Sequence, residues 1–336
     1  MTSTVNFDQL ADPFRGELLG YCYRMLGSIE DAEDQVQETL LRAWRAYGDF
    51  EGRSSLRTWL FRIATNACLR ALETRGKRPL PSGLGEPAED PEGPLAPLAT
   101  EIPWLQPIPD SLVTGGLADP AAVVTARASL RLALIAALQY LPPRQRAVLI
   151  LRDVLGWHAA EVAALLEIST TAANSVLQRA RAQLAHVTPA EEDLREPADL
   201  ADRALLDRYA RAFETADIAA LTELLRADAT FEMPPQPRWI RGRDRIARFL
   251  RSRVLTEAGK FVLVRTSANG IGAFAAYERT AGSMYIAHGI QVPTTDGALL
   301  TGIVSFNDAH LVAKFGLPGE LTSAPGFVHA NRHDNA

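Results

Sequence analysis

The chain has 336 residues, 47% of them hydrophobic and 22% charged, with a formal net charge of −5. That length exceeds what one hydrophobic core usually supports, so two or three domains are expected. No apolar run of about 18 residues is present to cross a bilayer, and the opening MTSTVNFDQL lacks the basic-then-apolar pattern of a secretion signal, so a cytoplasmic protein is expected.

The charge is unevenly spread. Residues 1–41 hold Arg15 and Arg24 against eight acids, whereas residues 42–78 carry nine Arg or Lys against Asp49, Glu51 and Glu73. Residues 14–47 read as two helices broken at Gly27-Ser28, with Ser28 as N-cap and Asp31 as its capping-box partner. The second, Asp31 to Trp44, puts Val36, Leu40, Ala43 and Trp44 near one stripe. It leaves Glu33, Asp34, Gln37, Glu38 and Leu41 to solvent or to a partner. After the loop DFEGRSS, a long helix from Ser55 to about Gly76 presents Arg57, Arg62, Arg70 and Arg75 beside Trp59 and Phe61. Basic groups interleaved with aromatics suit nucleic acid, although Trp59 and Phe61 read equally as core. Cys22 and Cys68 lie in apolar helical contexts without CxxC or Cys/His spacing, which points to buried thiols rather than a disulfide framework or metal site.

Residues 79–126 contain no Lys or Arg, seven acids and ten prolines, the composition of an extended acidic linker. From 127 to 186 the chain is helical by period and basic again, with seven arginines against Asp153, Glu161 and Glu167. Its last two helices have helix-turn-helix spacing: Ala160, Val162, Ala163, Leu165 and Leu166 form the packing face of the first, Val176, Leu177 and Ala180 that of the second. Ser169 or Thr170 caps the second, on which Thr170, Thr171, Asn174, Ser175, Gln178 and Arg179 can reach bases while Arg144 and Arg181 meet phosphate. A boundary near Thr188 to Pro197 precedes an amphipathic helix, Asp199 to Arg226. Strand-like runs follow at Lys260–Thr266, Ala273–Arg279, Ser283–Gln291 and Ala298–Phe306.

ELLGYCYRMLGSIEDAEDQVQETLLRAW followed by FEGRSSLRTWLFRIATNACLRAL resembles region 2 of sigma-70-family factors, over roughly residues 14–78. The segment QYLPPRQRAVLILRDVLGWHAAEVAALLEISTTAANSVLQRARAQLAHV resembles region 4 of the same family, in the extracytoplasmic-function (ECF) type that lacks a folded region 3. The resemblance implies core RNA polymerase and promoter DNA as partners, with no membrane and no catalytic activity. It implies that Glu33, Asp34, Gln37, Glu38 and Leu41 face the β′ clamp helices, with the β flap as a further polymerase contact. Arg53, Ser54, Ser55, Arg57, Thr58, Arg62 and Asn66 would hold the minus-10 strand. The polar face of the second helix-turn-helix helix, with Arg144 and Arg181, would read the minus-35 element. Gln35 stands where the family often has an apolar residue, and Asn174 and Val176 where many relatives are basic. PWLQPIPD (Pro103–Asp110) resembles a string of the subgroup with C-terminal extensions; a turn packed on a neighbouring domain explains it equally.

Residues 200–330 resemble the SnoaL-like (NTF2-like) fold through ALLDRYARAFETADIAALTELLRADATFEMPP, WIRGRDRIARFL and GIVSFNDAHLVAKFGLP. A cone-shaped α+β domain is implied, with Phe231, Met233, Trp239, Tyr277, Tyr285, His288 and Phe306 as pocket candidates and Asp228 and Glu232 as the nearest carboxylates. No cofactor or metal is expected, and the identity of any small-molecule ligand stays open. The HxxxH pair in the tail HANRHDNA is explained by a free terminus. The expected layout is multi-domain: two all-α domains, region 2 at 1–78 and helix-turn-helix region 4 at 127–187, and an α+β domain at 200–330. Linkers at 79–126 and 188–199 and a tail at 331–336 complete it. The competing reading is an NTF2-like enzyme or ligand sensor fused to a DNA-binding regulator.

Overall fold

The computed structural model describes residues 7–114, 119–185, 199–281 and 284–322. The expected boundary at 188–197 and the HANRHDNA tail lie outside the described residues. Two compact units emerge, one of Met1–Arg78 with Asp110–Pro189 and one of Pro79–Pro109 with Ala190–Ala336.

In the first unit, α1 (Phe7–Ala11) leads through a tight turn into α2 (Arg15–Leu26), α3 (Ile29–Ala46) and α4 (Leu56–Thr74). Helix α2 stops at Gly27, whose φ of 70° turns its N–H back onto the Tyr23 carbonyl at 2.7 Å. Ser28 then caps α3, its Oγ accepting the Asp31 N–H at 3.2 Å. The Asp31 carboxylate, expected to complete a capping box, pairs instead with Arg75 and Arg78, tying the start of α3 to the end of α4. Ser55 caps α4 by accepting the Thr58 N–H at 3.1 Å. The chain re-enters this unit with α5 (Ser111–Thr114) and α6 (Pro120–Ala128), then α7 (Leu132–Leu138) and α8 (Pro143–Leu149). A π turn follows, then α9 (Ala159–Leu166) and α10 (Thr170–Ala185). The α9–α10 turn carries Glu167 at φ 56°, a left-handed C-cap, and Ser169 Oγ accepts the Ala172 N–H at 3.1 Å to open α10. The packing faces differ slightly from expectation. Val162, Ala163 and Leu165 of α9 and Ala173, Leu177 and Ala180 of α10 are buried, while Ala160 is exposed and Leu166 and Val176 are only half-buried.

The second unit opens its helical part with α11 (Asp199–Glu214) and α12 (Ile218–Leu224). The single helix expected over Asp199–Arg226 is thus broken, because Ala216 takes φ 54° and Asp217 caps a new helix by accepting the Ala220 N–H at 3.0 Å. Strands β1 (Leu225–Met233) and β2 (Gln236–Arg241), helix α13 (Arg243–Phe249), and strands β3 (Phe261–Ala268), β4 (Ile271–Arg279), β5 (Tyr285–Thr295) and β6 (Leu300–Phe306) follow. Helix α14 (Ala309–Lys314) and the short β7 (Glu320–Leu321) complete the described part. The sheet runs β2-β1-β6-β5-β4-β3, with β7 beside β5; β1 and β6 are parallel and the other pairs antiparallel. Asn269-Gly270, both at positive φ, close the β3–β4 hairpin as a two-residue turn. Leu206, Tyr209 and Phe213 of α11 share one buried cluster with Phe231, Leu263, Phe274 and Ile303 of the sheet. The Tyr209 hydroxyl is satisfied there by Gln291 Oε1 at 2.8 Å.

Residues 79–109 depart most from the sequence expectation. They are an ordered strap on the α+β domain rather than a free linker, and the expected stretch ending at 126 divides at residue 109, because 110–114 and 119–126 pack with the helical unit.

The β4–β5 bulge places Gly289 so that a Cβ there would lie 1.9 Å from the Phe306 carbonyl oxygen, a backbone atom that cannot rotate away. Gly289→Ala is expected to destabilise the α+β domain by about 3 kcal/mol or more, measured as the shift of its calorimetric transition in the full chain.

Candidate nucleic-acid interface

Helix α3 presents a stripe at the spacing 34, 37, 41, 44, which falls on one helical face. Asp34 and Gln37 are exposed, Leu41 is 41% exposed and Trp44 60%, while Glu33 and Glu38 are half-buried and Glu38 pairs with Arg42. Trp44 was expected on the buried stripe; Ala43, Leu40 and Val36 fill that stripe without it, and its indole lies in solvent next to Leu41. An exposed Trp and Leu flanked by acids make an amphipathic docking face. The signal for Trp44 was in the sequence, since position 44 continues the 34-37-41 series.

On α4, Thr58, Arg62 and Asn66 recur every four residues and line one side of the helix, Arg62 and Asn66 exposed and Thr58 half-buried. At its N-terminus Ser54 is half-buried and Ser55 exposed, and Arg53, in the preceding loop, pairs with Glu51 at 2.7 Å. Phe50 stacks on Trp59 with ring centroids 4.7 Å apart and on Tyr47 at 6.2 Å, so Trp59 is half-exposed in an aromatic group rather than core. Phe61 is fully buried. Arg57 stands apart from the other residues assigned to this surface. It is half-buried, paired with both carboxylate oxygens of Glu17, and its guanidinium carbon lies 5.1 Å from the Phe61 ring centre and 5.2 Å from that of Trp157. The Glu17 hydrogen bond raises its already high pKa further.

Helix α10 exposes Thr170, Thr171, Asn174, Ser175, Gln178 and Arg179 on the side away from Ala173, Leu177 and Ala180. Arg144 on α8 is exposed too. Arg181 is engaged by both oxygens of Asp153 at 2.9 and 2.6 Å, an exposed pair that a phosphate can displace at little cost.

Each pocket candidate of the α+β domain has identifiable partners in the structure. Phe231 and Met233 belong to the buried cluster under the helices. Trp239 donates its indole N–H to the Gly85 carbonyl at 2.8 Å, Tyr277 its hydroxyl to Pro318 at 2.7 Å, and Tyr285 to Gly259 at 3.1 Å. His288 sits edge-on to Phe261 at 5.4 Å with Nδ1 3.6 Å from Glu278; burial lowers its pKa. Phe306 is buried at the end of β6. Asp228 is exposed and pairs with Arg226, which lowers its pKa. Glu232 is buried and accepts the Ser82 N–H at 2.9 Å.

That last bond belongs to a set that sequence reasoning missed. Arg238 donates to the carbonyls of Gly93 and Pro94 at 2.8 and 3.0 Å, Gln236 to Ala96 at 2.8 Å, and Arg253 to Glu92 at 2.7 Å. Backbone bonds run from Ala88 to the Trp239 carbonyl and from Ala99 to that of Pro235, so the strap covers the open edge of β2. At its end Asn269 Oδ1 accepts the Ile108 N–H at 3.1 Å while the Asn269 N–H donates to the Ile108 carbonyl at 3.0 Å. The nine prolines of residues 79–109 were the available clue, because they leave extended carbonyls without local donors.

Residues 10–78 match the Sigma-70 region 2 family, residues 131–184 Sigma-70 region 4, and residues 206–307 the SnoaL-like domain family. The chain is 50% identical over 318 residues to the ECF RNA polymerase sigma factor SigG of Mycobacterium tuberculosis, covering 94% of this chain and 85% of that one. The chain belongs to the ECF RNA polymerase sigma factors. A second relative, the ECF RNA polymerase sigma factor SigJ of the same organism, is 30% identical over 71% of this chain and 70% of its own. The crystal structure of SigJ shares the fold at a TM-score of 0.61 and 24% identity, covering 93% of this chain and all of that one. As a sigma factor the protein acts in promoter recognition and transcription initiation with core RNA polymerase, and it carries a SnoaL-like domain after region 4. No helix among the described residues is long and apolar enough to cross a membrane.

Two outcomes follow for the sigma factor. Arg57→Ala is expected to lower the stability of the helical unit by about 1–2 kcal/mol through its lost ring and carboxylate contacts, whereas Arg62→Ala stays within about 0.5 kcal/mol, both read by thermal denaturation. Glu232 is pushed above the ordinary carboxylate range by burial, partly offset by the Ser82 hydrogen bonds. A raised native pKa means stability that is full in acid and is lost as pH rises through it. Glu232→Gln should therefore be the more stable chain near pH 8 and converge with the parent in acid, checked by melting across that range.

Proposed function

We propose that region 2 engages the β′ clamp helices of the polymerase through Asp34, Gln37, Glu38, Leu41 and Trp44, with Glu33 beside them. The exposed Leu41–Trp44 pair ringed by carboxylates carries this reading: it is apolar enough to dock and acidic enough to choose a basic partner. The α4 stripe Thr58, Arg62 and Asn66, with Arg53, Ser54 and Ser55 at its start, holds the minus-10 strand, and the Phe50–Trp59 stack offers a face for an unstacked base. Arg57 joins that surface once its present contacts are released. Helix α10 enters the major groove at the minus-35 element with Thr170, Thr171, Asn174, Ser175, Gln178 and Arg179, while Arg144 and Arg181 take phosphates and the same domain meets the β flap. The protein works in the cytoplasm, beside the polymerase, and has no catalytic activity of its own. In support, Trp239, Tyr277 and Tyr285 spend their polar atoms on backbone carbonyls, and Asp228 faces solvent.

The C-terminal domain modulates the factor by gripping residues 79–109. Six side chains, Glu232, Gln236, Arg238, Trp239, Arg253 and Asn269, address that segment. A gripped strap is withdrawn from the clefts of the polymerase that a free acidic linker could enter.

Run-off transcription with purified core polymerase on a pool of promoter fragments tests the assignment. The full chain should initiate; Leu41→Ala with Trp44→Ala should lose core binding roughly tenfold or more, as expected of central apolar anchors. Arg62→Ala with Asn66→Ala should keep core binding and weaken the open complex. Loss of core binding by the second pair would overturn this division of labour. For the grip, Arg238→Ala with Gln236→Ala should speed proteolysis within residues 84–98 and change transcript yield; unchanged cleavage and yield would refute modulation by this route.

A further inference from the structure

The α+β domain carries more positive charge at one rim than its grip on the strap uses. From Arg238 to Arg253 the chain has seven arginines and one acid, Asp244, in a protein whose net charge is −5. Arg238 and Arg253 donate to strap carbonyls. The other five are exposed: Arg241 at the end of β2, Arg243, Arg245 and Arg248 on α13, and Arg251 in the π turn (Leu250–Val254) that continues it. Arg245, Arg248 and Arg251 recur every third residue, on the side away from the buried Ile246, Ala247, Phe249 and Leu250. We propose that this arginine face is a third DNA-binding surface of the sigma factor, which takes phosphates of the promoter duplex while regions 2 and 4 read its sequence.

Inside the domain these charges are poorly answered. Arg245 and Arg251 form no ion pair with a described residue, and Arg243 and Arg248 stand 3.9 Å from Asp244 and Glu92, both exposed. The carboxylate that acts on Arg241, Asp228, is already held by Arg226 at 2.6 Å. Like charges one turn apart repel, so the stripe costs the free domain stability that an external anion restores. All seven are arginine, whose planar fork meets phosphate oxygens in pairs. From Arg245 to Arg251 the stripe covers about 9 Å of helix axis, and a duplex strand offers a phosphate every ~3.4 Å of its own axis. A run of phosphates therefore suits it better than a single anion. Promoter DNA is the polyanion within reach. Residues 186–198 alone separate α10 from α11, a tether that spans at most about 50 Å. The inference rests on region 4 occupying the promoter.

The test compares the full chain with Arg245→Ala/Arg251→Ala, each bound to core polymerase, on a fluorescent promoter fragment that the parent transcribes. Affinity is read across a salt series. Loss of two phosphate contacts should weaken binding roughly tenfold or more at about 0.1 M salt and make the log–log salt slope shallower by roughly two. Arg203→Ala with Arg208→Ala removes the same charge from exposed positions on α11 and should keep the parent slope. Helix α11 packs on β3 and α13 on β1 and β2, at opposite rims of the sheet. Arg245→Lys with Arg251→Lys should recover most of the slope. Independently, Ser252→Cys, exposed within the patch, carries a photocrosslinker while Cys22 and Cys68 stay fully buried. It should attach to promoter DNA in the complex. Crosslinking to a polymerase subunit, or a slope that is unchanged in the first pair or falls equally in the α11 pair, overturns the proposal. In that event the parent still initiates, and the roles of regions 2 and 4 stand.

Discussion

Two buried guanidinium groups organise the helical unit. Arg24 on α2 spends its nitrogens on Ser129, at 2.6 Å to the hydroxyl and 3.3 Å to the carbonyl, and Arg146 on α8 spends its own on Met25, Gln139 and Leu141. Burial lowers both pKa values to about 10, so both stay charged at neutral pH, and a charge removed from water must find oxygens or drive the packing apart. Most of the oxygens they find are main-chain carbonyls, several at helix ends, where unsatisfied carbonyls and the negative end of the helix dipole await a donor. This constraint joins the segments before and after the excursion of residues 79–109 into one body. It also explains why charged residues sit inside a small helical core whose apolar members, Tyr21, Phe61, Leu138 and Ile150, would pack without them.

The α+β domain solves a different problem. A sheet with β2 at its rim exposes a row of main-chain groups that invites pairing with another chain. The strap answers that with its own main chain at Ala88 and Ala99, and with side chains of β1, β2 and the Asn269 turn that donate to or accept from strap backbone. The same contacts use up groups such as Trp239 and Glu232 that a catalytic relative of this fold could aim at a ligand, which is why fold likeness carries so little about chemistry here.

Much of this was readable in advance. Gly27-Ser28, the helix start at Ser55 and the helix-turn-helix period placed the helices because each is a local signal with a local physical cause. Four strand runs were placed correctly from their β-branched and aromatic content. The β1–β2 hairpin was missed, β1 because its first residues continue the apolar spacing of α12; only Ala216 at positive φ and the Asp217 cap reveal the break. The errors of substance are non-local. Trp44 fits the buried stripe by period but finds that stripe already full, Arg57 shares a helix with Arg62 yet faces Glu17 and Trp157, and residues 79–109 are poor in core formers yet order on a partner that begins a hundred residues later. No window along the chain contains those partners.

The middle of the strap is held largely by its peptide groups. Carbonyls of Gly85, Glu92, Gly93, Pro94 and Ala96 and amides of Ser82, Ala88 and Ile108 make hydrogen bonds there, while Glu92 adds an ion pair with Arg248 and the Trp104, Leu105 and Ile108 side chains are buried. A grip made so much through the main chain leaves the outward-facing letters free to drift, within the limits set by prolines that keep the segment extended. Leu84, Leu95 and Leu98 remain exposed on it while it is bound. Mutation can therefore rewrite the outward face of this segment, its charge or its greasiness, without loosening it from the domain beneath, and sister proteins can diverge in what that face meets while keeping one common fastening.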